Sequence, residues 1–457
     1  MAEMHGSRCL GDSVKGVALA IALASVGCGD EVRRVELVRV APAADPGCGA
    51  ASDGITVLVT ALGAFPAITR PLGTLDGPVD LTGLPITTRQ IQVVVLGAGG
   101  VRRTIGKSAP LALGELPDGA TVPVLMAPPL GFCAVGPPAQ ARARPSLVRG
   151  GDGALLAGND GTGAGTVEWF DPATASFSPV VAPSSFADAF GLAGTAIAVV
   201  PAGGPDRRER VVFSGGARPA YFVYDPTSRS FAAPGALFVV RAHHAAVALD
   251  DHRVLMAGGC GELEGDGVCT PGSLRLDTYV LDLDQGDVRR GPNLALPRVG
   301  ATAMLEPDGH VVLIGGVDAA GDAVLSAERL DPEVEGVDGG PGGVLIADTA
   351  GSAVRLAAGG LLAGFAPAGA TARSAATVLP PAAAAASDAV AWVVEARAGA
   401  TLVALEDGSV LIVGGIGDPG AEVAEAAVYS AYLGGVRDLA AAPGGAADRR
   451  GGAPPVR

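Results

Sequence analysis

Three stretches of the chain share one hydrophobic–polar pattern. They are RAHHAAVALDDHRVLMAGG (Arg241 to Gly259), RVGATAMLEPDGHVVLIGG (Arg298 to Gly316) and RAGATLVALEDGSVLIVGG (Arg397 to Gly415). Each opens with an arginine, runs apolar, turns on polar residues such as Asp308-Gly309, and runs apolar again into a glycine pair. That pattern predicts a β-hairpin followed by a sharp exit of the chain. In all three the arginine lies 17 residues before the first glycine (241 to 258, 298 to 315, 397 to 414). A hairpin copied at fixed internal spacing means a repeat architecture. Second-strand runs such as VVLI and VLIV are apolar on both faces, as expected of a strand held between two neighbouring sheets.

Weaker copies fill the gaps. Glycine exits can be placed at Gly158, Gly215, Gly258, Gly315, Gly364 and Gly414, at intervals of 57, 43, 57, 49 and 50 residues. SLVRGGDGALLAGN (Ser146 to Asn159) and SAVRLAAGGLLAGF (Ser352 to Phe365) align with each other as a degraded version of the unit. After five of the six exits comes a third run ending in an Asp-Pro or similar corner: VEWFDPATASF, YFVYDPTSRSF, YVLDLDQGD, AERLDPE and AAVYSAY. A fourth strand follows, carrying an apolar residue such as Phe177 or Phe231.

Hydrophobic strand, glycine pair and spaced aromatic with an Asp-Pro corner resemble the kelch repeat over residues 140–433. The resemblance implies a kelch-like β-propeller of about six four-stranded blades. Phenylalanine stands after the corner where the family usually carries tryptophan. One blade cannot bury both its faces, so such an array must close on itself. PPAAAAASDAVAW (Pro380 to Trp392) reads as a surface insertion in the fifth repeat, and 434–457 as a disordered tail.

Upstream, residues 35–136 alternate short apolar runs (ITVLVTALGAF, PVDLTGLP, QIQVVVLGAGG, ATVPVLMAPP) with turn residues. Seven or so strands in that length predict a β-sandwich, similar to the immunoglobulin-like or transthyretin-like modules that precede propellers. The fold expected is therefore all-β, an N-terminal β-sandwich followed by the propeller. Two nucleotide-site look-alikes occur here. IQVVVLGAGG carries Arg102 at the third glycine position, and GVRRTIGKS has five residues between its glycines where a phosphate loop has four. Both read as hairpin turns.

Residues 1–27 read as an export signal. Arg8 and Lys15 precede GVALAIALASV, which is signal length and too short to span a bilayer. The segment ends in SVGC and resembles a bacterial lipobox, which implies lipid on Cys28, a linker over 28–34, and tethering at the bacterial cell envelope. The alternative is an ordinary cleaved signal. Cys48, Cys133, Cys260 and Cys269 then remain, an even number in an oxidising compartment. The economical pairing is Cys48–Cys133 and Cys260–Cys269; metal ligation by the four is the alternative, without C-x-x-C spacing to support it. The net charge of −15 repels phosphate backbones and argues against nucleic acid.

Candidate chemistry is sparse. His243 and His244 are adjacent in a predicted strand, so they face opposite sides and cannot share a metal. His243 aligns with Gly300 and Gly399, and His252 and His310 sit at matching turns, so structural roles are expected. The same holds for Arg241, Arg298 and Arg397. Kelch-like copper radical oxidases resembling galactose oxidase need a tyrosine–histidine copper set and a cysteine cross-linked to tyrosine. No such set stands out here, and no catalytic residue, resident metal or cofactor is expected. The loop CGELEGDGVC, closed by Cys260 and Cys269, carries Glu262, Glu264 and Asp266 at alternate positions. It is the candidate binding loop, for Ca²⁺ or a basic partner. The expected function is a non-catalytic binding or scaffold protein for a protein or glycan partner; the alternative is a carbohydrate-active or oxidase propeller. Trp169 and Trp392 are the only tryptophans, few for the aromatic platforms a glycan site uses.

Overall fold

A computed structural model describes residues 34–40, 48, 56–72, 79–81, 84–129, 131–142, 145–159, 165–186, 194–203, 208–264, 268–322, 324, 326–334, 352–355, 361–364, 376–379, 390–392, 400–414 and 425–430. The signal, Cys28, the 28–34 linker up to Arg33, Asp266, Arg397 and the 434–457 tail lie outside the described residues. So does most of the Pro380–Trp392 stretch, but its last three residues form a strand where a surface loop was expected.

Seven strands make the first unit: β1 (Arg34–Val40), β2 (Thr56–Gly63), β3 (Phe65–Leu72), β4 (Val79–Asp80), β5 (Gln90–Leu96), β6 (Arg102–Lys107) and β7 (Thr121–Leu125). One sheet runs β4-β1-β7, with β1 and β7 parallel; the other runs β3-β2-β5-β6, antiparallel throughout. The alternation of β2 and β5 sends Val57, Val59, Ala61, Ile91, Val93 and Val95 into one core with Val35, Leu37, Val122 and Val124 of the other sheet. The glycine-rich stretch after β5 is a hairpin turn into β6, with Gly99 and Gly100 at positive φ. The first nucleotide look-alike thus ends in a turn, as expected, whereas the second, read as a hairpin turn, is mostly strand β6 (Arg102–Lys107).

Among the described residues, the rest of the chain forms six further sheets. β8 (Phe132–Val135) is set aside at first. The first sheet is β9 (Ser146–Gly150), β10 (Gly153–Asn159), β11 (Gly165–Asp171) and β12 (Ser176–Val180). The second is β13 (Ala196–Val200), β14 (Arg210–Ser214), β15 (Ala220–Asp225) and β16 (Ser230–Phe231), with β17 (Gly235–Ala236) also on β15. The third is β18 (Ala245–Ala248), β19 (Arg253–Ala257), β20 (Thr278–Asp282) and β21 (Asp287–Arg290). The fourth is β22 (Thr302–Leu305), β23 (Val311–Ile314) and β24 (Glu328–Leu330). The fifth is β25 (Ser352–Arg355), β26 (Leu361–Gly364), β27 (Ala376–Leu379) and β28 (Val390–Trp392). The sixth is β29 (Thr401–Ala404), β30 (Val410–Val413) and β31 (Ala426–Tyr429). Its fourth strand is β8, antiparallel to β31 with Cys133 opposite Val428. A strand that lies inside the 35–136 stretch read as sandwich therefore completes the last sheet of the repeats.

Each of the six sheets follows the pattern read from sequence. Its second strand ends at one of the six predicted glycines, and Gly215, Gly258, Gly315 and Gly414 all take positive φ there. The second strands are apolar on both faces because both faces are covered. In β10, Ala154 and Leu156 join Leu411 and Val413 of the sixth sheet, while Leu155 and Ala157 join Val211 and Phe213 of the second. Val212 packs with Val254 and Met256 of the third sheet, and Leu255 and Ala257 pack with Val311 and Leu313 of the fourth. Val410 and Ile412 lie with Val354 of the fifth. First strands lie beside first strands: β9 by β13, β13 by β18, β18 by β22, β25 by β29, and β29 by β9. Val40 and Leu125 of the first unit share the core of the first and sixth sheets.

The recurrent corner aspartate has a physical cause. Asp171, Asp225 and Asp282 each accept a hydrogen bond through Oδ1 from the backbone N–H two residues on, at 2.8, 2.8 and 2.9 Å. Four residues after each aspartate the chain takes a left-handed conformation, at Ala175, Arg229 and Gly286. Asx turns of this kind favour aspartate at the first position.

The recurrent arginine is also explained. Arg241 and Arg298 are buried, and each donates to the carbonyl of its own sheet's exit glycine and to a carboxylate near the third strand. The pairs are Arg241–Asp277 at 2.7 Å and Arg298–Glu328 at 2.5 Å. Arg142, before β9, makes the same kind of buried pair with Glu168 at 2.7 Å. Each arginine's carbonyl also faces the exit glycine of the preceding sheet, where a Cβ on Gly215, Gly258 or Gly414 would meet the oxygen of Arg241, Arg298 or Arg142. For Gly414 and Arg142 the preceding sheet is the sixth and the following one the first.

Candidate binding site

The segment joining β19 to β20 builds the most elaborate surface among the described residues. Gly258 and Gly259, both at positive φ, turn the chain out of β19. Cys260 then bridges to Ala242 on one side and Leu274 on the other. Cys260 and Cys269 form a disulfide, as do Cys48 and Cys133, so both expected pairings are present. Inside the small ring Leu263 bridges Cys269, Glu264 N donates to Val268 O at 2.8 Å, and Thr270 N donates to Glu262 O at 3.0 Å. Ser273 donates through Oγ to Thr270 O at 2.8 Å and accepts at its carbonyl from Gly261 N at 2.9 Å. The loop is a cross-linked miniature hairpin.

Between this loop, the segment Gly272–Asp277 and the end of β21 lies a cleft of about 520 Å³. Its polar lining is Glu262, Ser273, Arg275, Asp277, Arg290 and Asn293. Of the predicted loop carboxylates, Glu262 lines the cleft; Glu264 is exposed outside that lining, and Asp266 lies outside the described residues.

Arg275 is held in an unusual way. Its guanidinium lies flat against Gly261, where a Cβ would stand 2.6 Å from Nη2 and 3.0 Å from Nε. A Cβ there would have to displace the guanidinium. The Nε–H is buried and meets no acceptor among the described residues, and the Asp277 carboxylate stands 3.8 Å from Nη1. A buried donor left unpaired costs about 1–3 kcal/mol, which an incoming acceptor recovers. Asp277 is committed elsewhere. Burial works to raise its pKa, but the charge and hydrogen bond of Arg241 outweigh that and hold it below the ordinary aspartate value. Arg290 is exposed and donates to Asn293 Oδ1 at 3.0 Å. The lining thus carries two guanidinium groups (Arg275, Arg290) and two carboxylates (Glu262, Asp277), of which Asp277 is paired with Arg241 outside the lining.

The other sequence candidates are placed apart from this cleft. His243 takes the left-handed conformation that Gly300 also takes, and its carbonyl accepts from Gly300 N at 2.8 Å. His244 is buried and shares a 2.9 Å hydrogen bond with Ser214 Oγ. Burial, and then the charge of Arg241, hold its imidazole well below the usual histidine pKa. His252 lies in a turn where Asp250, Asp251 and the ring place their ligand atoms within 4.8 Å of one another. Those atoms serve the turn: Asp250 Oδ1 accepts from His252 N and Arg253 N at 3.0 and 2.8 Å, and His252 Nδ1 lies 2.7 Å from Asp251. The hydrogen bond that the ring donates to the Asp251 carboxylate raises the His252 pKa. At the matching turn Asp308 Oδ1 accepts from His310 N at 3.2 Å.

Sequence reasoning missed Arg275 and Arg290, which sit in no repeat register, and Arg142 with its carboxylate partner. No protein-family model and no curated protein matches the chain.

Proposed function

We propose that residues 132–429 make one six-bladed kelch-type β-propeller, and that the chain acts as a non-catalytic binding scaffold exported to the bacterial cell envelope. The observation that carries the propeller reading is β8. It adds to the sixth sheet, whose apolar face packs on the first, so the two ends of the repeat array meet. Closing a ring with a strand from before the first repeat removes the free edges and open faces of the end sheets. The first unit is then a β-sandwich resting on the seam, with Cys48–Cys133 fastening the closing strand. A lipid on Cys28 tethers the assembly, and the two disulfides accord with an oxidising compartment.

Binding takes place at the ends of the strands, because packing between blades consumes their faces. The Cys260–Cys269 loop supports the third blade as the binding edge, since a short loop closed by a disulfide loses little entropy on docking. All four cysteines downstream of Cys28 are held in disulfides, which leaves none of them for the cysteine–tyrosine cross-link of copper radical oxidases. The test has two parts. The wild type should sediment with membranes after a carbonate wash while Cys28→Ser is soluble. The soluble variant, used as bait in envelope extracts, should retain a partner that Glu262→Ser/Glu264→Ser/Asp266→Ser loses. A Cys28→Ser chain that stays in the pellet, or retention unchanged by the triple substitution, overturns the corresponding half.

A further inference from the structure

We infer that the cleft beside the Cys260–Cys269 loop is a carboxylate-recognition site for a peptide, with Arg275 as its anchor and Arg290 as its second cation. The inference rests on the binding-scaffold reading and goes further by naming what the site holds. Three independent features point to an anion. Arg275 has a buried Nε–H with no acceptor among the described residues, beside a cleft of about 520 Å³, a size suited to a few residues of an extended ligand. Its guanidinium lies against Gly261 and approaches Asp277 only to 3.8 Å, beyond hydrogen-bond distance, so that carboxylate does not take up its donor edge. Planar guanidinium forks match carboxylates in two-point contact. Of the two carboxylates in the lining, Asp277 is already paired with Arg241 at 2.7 Å, which leaves Glu262 against Arg275 and Arg290.

Apolar groups beside the cleft favour a peptide over an acidic sugar. Leu276 lines it and is 44% exposed, and Leu296, 47% exposed, follows Leu294, whose N–H donates to Leu276 O at 2.7 Å. Among the described residues, none lining the cleft is aromatic. Aliphatic rims accept an aliphatic side chain; sugar rings are held best on aromatic faces. The exposed Glu262 lies across the cleft and accepts from a peptide N–H.

The carboxylate can come from a chain end or from an acidic side chain, and fluorescence polarisation on the full chain separates the two. One pair of fluorescein-labelled peptides is Gly-Ser-Ala-Leu with a free or an amidated terminus. The second pair is Gly-Ser-Glu-Leu-amide and Gly-Ser-Gln-Leu-amide. In at least one pair the carboxylate peptide should bind about tenfold more tightly than its neutral twin, which is about 1.4 kcal/mol. Arg275→Gln and Gly261→Ala should each abolish that preference, Arg275→Lys should restore part of it, and Arg290→Gln should weaken it. Equal binding of the twins in both pairs, no binding by any peptide, or a preference that survives Arg275→Gln overturns the assignment. A partner from envelope extracts that the wild type and Arg275→Gln retain equally would remove this site while leaving the scaffold reading intact.

Discussion

The buried arginine–carboxylate pairs make a quantitative prediction, clearest at Arg298. Its side chain is 0% exposed and that of Glu328 1%. Arg298 donates to Glu328 Oε1 at 2.5 Å and to the carbonyls of Gly315 at 3.1 Å and Ser326 at 2.8 Å. Glu328 also accepts from Ala295 N at 2.7 Å and Leu296 N at 3.2 Å. Arg298→Met keeps the bulk but strands a buried carboxylate and frees two carbonyls. Breaking such a pair costs about 3–5 kcal/mol, a large part of a stability of about 5–15 kcal/mol. Arg298→Met/Glu328→Gln removes the stranded charge and should recover at least half of the loss. Arg289→Met is the control: its partner Glu333 is 59% exposed, and pairs of that kind are worth about 0–1 kcal/mol. Urea denaturation of the four proteins reads the differences. If Arg298→Met costs no more than Arg289→Met, the pair is not the structural clamp described here.

Other variants address other parts of the account. Gly258 and Gly309 both have positive φ, but a Cβ at Gly258 would stand 2.6 Å from Arg298 O while one at Gly309 meets open space. Gly309→Ala should cost about 1–2 kcal/mol for the conformation alone, and Gly258→Ala clearly more; equal costs in urea titrations would contradict the close packing at the exit. Cys48→Ser/Cys133→Ser opens a closure spanning 85 residues and should lower stability by about 4–5 kcal/mol, with an unchanged urea midpoint as the contrary result. His244 is neutral in the folded state because its pKa is depressed, so the unfolded chain binds more protons below about pH 6.5. Stability from this group is complete above that pH and falls by up to about 1.4 kcal/mol per unit below it; His244→Asn should flatten that slope between pH 7 and 5. A slope identical in the two proteins would mean the imidazole is not buried neutral.

Much of this architecture is legible locally. The hairpins, their glycine exits and the corner aspartates each follow from a short-range rule about turns, so spacing alone placed them. The two disulfides followed from economy of closure. The parts that escaped depend on distant partners. FCAV at Phe132–Val135 looks like any short strand of the unit before it, and nothing in those four residues says that their partner is Ala426–Tyr429. Arg142 lies 16 residues before Gly158, not 17, amid ARARP, and its carboxylate partner comes at a different distance than those of Arg241 and Arg298 (168, 277 and 328) because the intervening loops differ in length. The cleft escaped for a similar reason. Arg275 meets Gly261 only through the folding of a disulfide loop back on itself, an event with no periodicity to read.

Closure by β8 is the claim on which the rest turns, and hydrogen exchange tests it directly. Amide exchange is followed by mass spectrometry in the full chain and in a chain ending at residue 424, which lacks β31. The account predicts that peptides covering 132–135 are protected in the full chain and lose that protection in the shorter one, while β2 and β5 of the first unit keep theirs. Protection at 132–135 that is the same in both chains would place β8 with the first unit and leave the ring without its closing strand.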